Sequence, residues 1–197
     1  MTRILAIDPS LNCTGYAVVD VDSDQRLTLV AYGFIQVKKS DNTEQRLKLI
    51  YDTLQAVVVT HKPTTWVAES PFMYRNTKTL VQLAHTHGAI LLLAGQHNQL
   101  IHYYSPMTIK TTVLGGAKTM NADGTRKTSS QWKVEVATAV FAIFNQNLFT
   151  TPYTDDVTDA LSVAITWVTK QGQGCLGEEL KPPKKPKKKI KADASKS

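Results

Sequence analysis

Four carboxylates at three separated places in the chain are the side chains whose type and position invite chemistry. Asp8 ends the apolar run Ile4-Leu5-Ala6-Ile7, Glu69 ends Trp66-Val67-Ala68, and Asp156 and Asp159 sit in Asp-Asp-Val-Thr-Asp-Ala-Leu. A carboxylate at the mouth of a hydrophobic strand, or in the first turn of an apolar helix, is costly to desolvate unless a positive charge compensates it. Several brought together call for a divalent cation, and hard oxygen donors suit Mg²⁺ or Mn²⁺ better than zinc. Each acid also has an ordinary structural reading. Asp8 before Pro9 is turn chemistry, Glu69 before Ser70-Pro71 is a strand end, and acids opening a helix complement its dipole.

Spacing separates the acids of the last group. Asp156 and Asp159 are three apart and project from one helix face, which Ala160, Val163 and Trp167 continue toward a packed surface. Asp155 points about 100° away by the 3.6-residue period, as a capping acid does. Spacing alone leaves the ligand and capping readings of Asp156 and Asp159 equally open. What favours ligation is placement: parallel strands in an α/β sheet bring their carboxyl ends to one edge, where sites are built. Asp8 and Glu69 stand at such ends, and a final helix packed beside the first strand makes all four converge.

The elements that must do this are legible from pattern. Residues 3–8, 14–21 and 27–37 read as a three-strand meander, rich in Val, Ile, Leu and Tyr and separated by Pro-Ser-Leu-Asn and Asp-Ser-Asp turns. Leu47, Leu49, Ile50, Leu54, Val57 and Val58 follow helical spacing over 44–61. A strand is expected at 64–69, a helix at 77–96, a strand at 100–104 and a short helix at 106–114. Residues 115–130, polar and rich in Lys, Thr and Gly, form an excursion before helices at 130–145 and 156–169. Three adjacent strands followed by alternating helix and strand give an α/β domain with a mixed five-stranded sheet flanked by helices.

Charge is distributed unevenly. The net charge is +7, but residues 181–197 hold eight Lys and one Asp, so the tail carries all of it and the body is neutral. A polyanion would bind the body only through Lys and Arg gathered on one face. The expected organisation is a folded domain over 1–175 and a flexible, disordered Lys/Pro-rich tail over 176–197, which cannot form a core and supplies salt-sensitive affinity for polyanions. Cys13 and Cys175 lie in no ligand-like spacing, and no apolar signal segment or run of ~20 apolar residues occurs. A reduced, cytoplasmic protein outside any membrane is expected.

With these residues in view, the chain resembles the RuvC-like Holliday-junction resolvases of the ribonuclease H-like superfamily. The match runs from Ile4 to Trp167. Ile7-Asp8-Pro9 and Thr14-Gly15-Tyr16 look like the family's first hairpin, Glu69-Ser70-Pro71-Phe72-Met73-Tyr74-Arg75-Asn76 like its Glu-x-x-Phe-Met-x-basic-Asn segment, and Asp156-Val157-Thr158-Asp159-Ala160-Leu161 like its Asp-x-x-Asp-Ala-Leu helix start. Ile109-Lys110 and Lys133-Val134-Glu135-Val136 resemble its two basic positions.

The resemblance implies a ribonuclease H-like fold and a homodimeric endodeoxyribonuclease that cuts opposing strands of four-way DNA junctions symmetrically. It implies Mg²⁺, with Mn²⁺ as a substitute, bound by Asp8, Glu69, Asp156 and Asp159, and Lys110 and Lys133 beside the scissile phosphate. Phe72, Met73, Arg75 and Asn76 are expected at the DNA, with Phe72 stacking on a base. No nucleotide cofactor is expected. Leu80, Leu83, Ala84 and His87, on one face of the 77–96 helix, are the candidate dimer interface, with burial in the core as the alternative.

Three departures stand out. Ser10 occupies a position where the family usually has Gly. The 115–130 excursion is longer than the loop expected between the two lysines, so Lys118 and Lys127 are alternatives to Lys133 and further DNA contacts. The basic tail is unusual for the bacterial enzymes and points to a divergent, phage-type member. Competing readings are a nuclease acting on flaps or RNA:DNA hybrids and a noncatalytic junction-binding protein. An actin-like ATPase would need a longer chain and paired Gly-rich phosphate loops.

Overall fold

The computed structural model describes residues 1–71, 77–116, 121, 123–144 and 154–170, together with the backbone of 175–176. Phe72, Met73, Arg75, Asn76, Lys118 and the 181–197 tail lie outside the described residues. Three strands come first: β1 (Thr2–Asp8), β2 (Cys13–Val21) and β3 (Leu27–Gln36). Helix α1 (Thr43–His61), β4 (Thr65–Glu69), α2 (Thr77–Gln96), β5 (Ile101–Tyr104) and α3 (Pro106–Val113) follow. Helices α4 (Ser129–Phe144) and α5 (Asp155–Thr169) and the two-residue strand β6 (Cys175–Leu176) complete the order. Every expected element forms within about a residue of its expected bounds, the usual play at element ends.

The strands lie in the order β3-β2-β1-β4-β5-β6. The meander is antiparallel, with Asp8 opposite Gly15 where β1 and β2 pair. β4 joins β1 in parallel and β5 joins β4 in parallel, each return needing a crossover helix. The carboxyl ends of β1, β4 and β5 therefore share one edge of the sheet. To the five expected strands the structure adds β6, antiparallel to β5 with Leu176 opposite His102, so that strand straddles the boundary expected at 175.

Strand alternation divides the core. Ile4 and Ala6 face α4 and α5, while Leu5 and Ile7 face α1 and α2. Helix α1 starts at Asn42, whose side chain accepts from Gln45 N as the Gln45 side chain accepts from Asn42 N. Helix α5 lies across β1, β2 and β4 and is buried along most of its length, from Val157 through Ala160, Val163 and Ala164 to Val168. Such a helix is held by tertiary packing rather than by propensity.

Gly15 sets how closely α5 approaches the sheet. A Cβ built on it would lie 1.9 Å from the Asp156 carbonyl oxygen. Only a residue without a side chain lets the first turn of α5 rest on β2, one strand from Asp8.

The surface of α2 corrects one expectation. Of Leu80, Leu83, Ala84 and His87, only Ala84 is exposed; His87 is buried, and Leu83 and His87 line a cleft. The exposed apolar stripe is turned one position round the helix, through Val81, Ala84, Leu91 and Leu92. The cause is that α2 covers the sheet along its second half and overhangs the sheet edge along its first.

Candidate active site

The shared carboxyl edge opens into a cleft of about 420 Å³. Asp8 reaches it from the end of β1, Glu69 from the end of β4, Lys110 from α3, and Asp159 and Ser162 from α5. Asp8 and Glu69 take the strand face that looks toward α5, because Ala6 and Val67, two residues before each, belong to the α5 side of the core. The end of β4 is tied to β5 by Ser70 N donating to Tyr104 O at 2.8 Å. Ser105 caps α3, its Oγ accepting from Thr108 N, and Pro106 occupies the first turn; this aims Lys110 back over the cleft.

Thr14, fully buried, staples the loop after β1. Its Oγ1 donates to Ser10 O at 2.5 Å and accepts from Ser10 N at 3.2 Å. Ser10 is not among the residues with positive φ, so the turn beside Asp8 does not require glycine.

The acids are electrostatically strained. Burial, then the charges of Glu69, Asp159 and Asp156, push Asp8 well above the usual carboxylate range, with Lys133 acting against them. Burial and Asp159 push Glu69 up to about 7, while Lys110 pulls it down. Burial pushes Asp159 up to about 6 against the pull of Lys133, with Asp156 adding to the rise. Like charges held together without compensation behave in this way.

Asp156 is placed differently from the other three. Its carboxylate accepts from Thr154 Oγ1 at 3.0 Å and lies beside Cys13, whose thiol it helps push up, and it does not line the cleft. Asp155 is exposed and pairs with Lys133 at 2.8 Å, which brings Lys133 to the rim close enough to act on Asp8 and Asp159. Lys127 turns elsewhere: its Nζ pairs with Glu135 at 2.7 Å and lies over the Trp132 ring, outside the cleft. Of the two described candidates, Lys133 is thus the one beside the acids.

Among the described residues, no three Asp, Glu, His or Cys side chains are close enough together to enclose an ion. The donor set nonetheless fits a hard divalent cation, since three half-buried carboxylates share one cleft and each has a raised proton affinity that a cation would relieve.

This has a measurable consequence. These acids are raised above their unfolded values, so the folded chain holds more protons than the unfolded chain from about pH 4 to about pH 7. The stability they allow is full below that window and falls as pH rises through about 6 for Asp159 and about 7 for Glu69. A divalent cation binding the cleft should reverse the loss. At about 100 times its Kd it adds about 2.7 kcal/mol, which for a chain of this size raises Tm by roughly 5–10 °C. Melting curves with Mg²⁺ and with chelator should show that full rise near about pH 8 and less than half of it near about pH 5.5, where protons compete. Equal shifts at both would place cation binding away from these acids.

Sequence reasoning missed several cleft residues. Ser162 lies one turn after Asp159 on the same helix face, a signal the spacing carried. Outside the cleft, Cys13 stands beside Asp156 on the face of β2 that Ala17 and Val19 continue, again a readable pattern. Gln82 and His87 could not be found this way, because only the position of α2 over the sheet edge brings them in.

Comparison with known proteins agrees with this arrangement. A family model described as "Crossover junction endodeoxyribonuclease RuvC" matches residues 4–167. The protein of that name from Alkaliphilus oremlandii is 34% identical over 162 residues, covering 82% of this chain and 90% of the relative. That from Fusobacterium nucleatum is 29% identical over 170 residues, covering 86% and 82%. In fold, the chain superposes on T. thermophilus RuvC, solved in complex with a Holliday junction substrate, with a TM-score of 0.71 over 87% of this chain and 96% of that one, at 22% identity. The sheet order, the acids at its carboxyl edge and the match over 4–167 together make this chain a member of the crossover junction endodeoxyribonuclease RuvC family.

Proposed function

We propose that this chain resolves four-way DNA junctions in the cytoplasm by symmetric, Mg²⁺-dependent hydrolysis, with Asp8, Glu69, Asp156 and Asp159 as the cation ligands and Mn²⁺ as a working substitute. The observation that carries this reading is the meeting of Asp8, Glu69 and Asp159 with Lys110 in one cleft, in a chain whose family is established.

Bound divalent cations supply activation of a water and neutralisation of charge at phosphorus. The chain's own residues supply the rest. Asp8, the acid most affected by its neighbours, stands at the centre. Glu69, on the next strand, faces Asp8 across the parallel pair and orients the attacking water. Lys110 offsets charge on the pentacovalent phosphate as the bond to the 3′ oxygen breaks. Lys133, held at the rim by Asp155, fixes the strand.

Two symmetric cuts on a nearly two-fold substrate call for two sites related by a two-fold axis. In the homodimer, the exposed α2 stripe through Val81, Ala84, Leu91 and Leu92 is the face we assign to the partner subunit.

Labelled junction, duplex, flap and RNA:DNA hybrid, each with and without Mg²⁺, test the reading. Paired nicks at symmetric positions are expected in the junction, only with the cation. Equal cutting of the hybrid would make the chain a general ribonuclease H-like nuclease, and junction binding without cutting would make it architectural.

Phe72 follows Glu69 by three residues and is the candidate stacking residue. Unstacking a base costs a few kcal/mol and one aromatic contact returns ~1–3 kcal/mol. Phe72→Ala should slow cleavage of an intact junction by about ten- to a hundredfold. A junction with unpaired bases at its centre should be cut almost as fast by the variant as by the parent. Equal loss on both substrates, with a lowered Tm, would make Phe72 a core residue.

A further inference from the structure

The cleft extends well past its acids. Its far wall is built by α2 and the loop after β1, through Leu11, Asn12, Thr79, Gln82, Leu83 and His87. Lys110 is the one cation lining the cleft among the described residues, and it stands on the acidic side beside Glu69 and Asp159. Among the described residues lining the α2 wall none is charged, so the wall as described suits a neutral group better than a phosphate.

His87 decides what kind of neutral group. It is 5% exposed, and its ring packs at a tilt on Tyr103, centroids 5.8 Å apart. Its nitrogens have no hydrogen-bond partner among the described residues, yet they are not sealed from the cleft. A buried polar ring without a partner carries a desolvation penalty that a ligand's hydrogen bond would remove. Burial holds the imidazole pKa down to about 4, so at neutral pH the ring is uncharged, with one donor and one acceptor. Gln82, one and a half turns earlier on the same helix, adds an amide that also has no partner among the described residues. Leu11 and Leu83 supply apolar surface beside these groups. Flat, neutral, apolar on its faces and polar at its edge describes a nucleobase.

We propose that the α2 wall is a nucleobase subsite, where an unstacked base next to the scissile phosphate packs on Leu11 and Leu83 and presents its edge to Gln82 and His87. The site makes cleavage sequence-selective: the wrong base leaves these groups unpaired, and a site built to hydrogen-bond its ligand rejects a mismatch more strongly than an apolar one does. The proposal rests on the nuclease reading above.

The test is single-turnover cleavage of junctions identical except for the nucleotides flanking the cut. The parent protein should show at least about a fivefold spread between best and worst sequences, the lower range of a good base contact. Gln82→Ala and His87→Phe should narrow that spread to about twofold, chiefly by slowing the best sequence. His87→Phe keeps a ring against Tyr103, and Gln82 is only half-buried, so a Tm near the parent's is expected for both. No spread in the parent, or a spread undiminished in both variants, overturns the subsite and leaves the nuclease reading intact.

A fluorescent aminopurine at the base beside the cut reports the subsite without cleavage. Its signal should change on binding the parent protein and not on binding either variant. If the parent cuts nothing but the signal depends on Gln82 and His87, the subsite stands and the nuclease reading fails. A signal indifferent to both residues overturns the subsite.

Discussion

Asp8→Asn is expected to lower the rate at which a bound junction is cut by about a thousandfold, close to 4 kcal/mol of transition-state stabilisation. An amide keeps the shape of the carboxylate but ligates Mg²⁺ poorly. Glu69→Gln and Asp159→Asn should lose a similar factor, since both line the cleft and both have proton affinities raised by burial and then by a neighbouring acid. Asp156→Asn should lose as much. Its carboxylate is one of the charges acting on Asp8, although it now accepts from Thr154 Oγ1 and lies beside Cys13. Junction affinity should rise slightly in all four, because each removes a negative charge from a surface facing phosphates.

Asp155→Asn is the control. Its pair with Lys133 is exposed on both sides and is worth at most about 1 kcal/mol, so the loss should be under about fivefold. Full activity in the Asp8, Glu69 or Asp159 variant, or a loss in the control equal to theirs, would sink the assignment. Should Asp156→Asn alone keep its rate, Asp156 is a structural acid that anchors α5, and three carboxylates make the site.

The contrast between Asp155 and Asp156 shows what local pattern reaches and where it stops. Helical period separates the two, and the structure places Asp155 in solvent and Asp156 toward the sheet. Period does not reveal that Asp156 turns to Thr154 and Cys13, because that depends on β2, well over a hundred residues away in sequence. Asp8 and Glu69 were legible for a firmer reason: alternation fixes the face of each strand, and parallel pairing fixes the edge.

The lysines divide in the same way. Lys110 on a short capped helix is local, whereas choosing between Lys127 and Lys133 needs their partners Glu135 and Asp155 in space. On α2 the apolar residues run almost all round the helix, so period could not select the outward stripe. His87 read equally as an interface or a core residue, and only the position of α2 above the sheet edge brings it to the cleft.

Gly15→Ala tests how the acids are held in register, and it should have a large effect for a single methyl group. The added Cβ would meet the Asp156 carbonyl oxygen at 1.9 Å and its carbonyl carbon at 2.4 Å. These are backbone atoms in the first turn of α5, so no side-chain rotation relieves the clash, and the helix start must move. Overpacking of this kind costs about 1–3 kcal/mol, or roughly 2–12 °C in Tm for a chain of this size. The larger effect falls on catalysis. Asp156 and Asp159 ride on that turn, and a misplacement of about 1 Å in a reacting constellation costs about a hundredfold. Cleavage should fall by that factor while junction binding holds.

Gly33→Ala separates the two effects. Its Cβ would also clash, at 2.6 Å, but with the Tyr16 hydroxyl at the end of a side chain that can rotate away, on the far side of β2 from the acids. That variant should lose some Tm and keep its rate. If Gly15→Ala folds and cuts at the parental rate, the close seat of α5 on β2 does not position the acids. If the Gly33 variant loses cleavage in parallel with the Gly15 variant, the loss reports general instability of the meander, and the specific role of Gly15 fails.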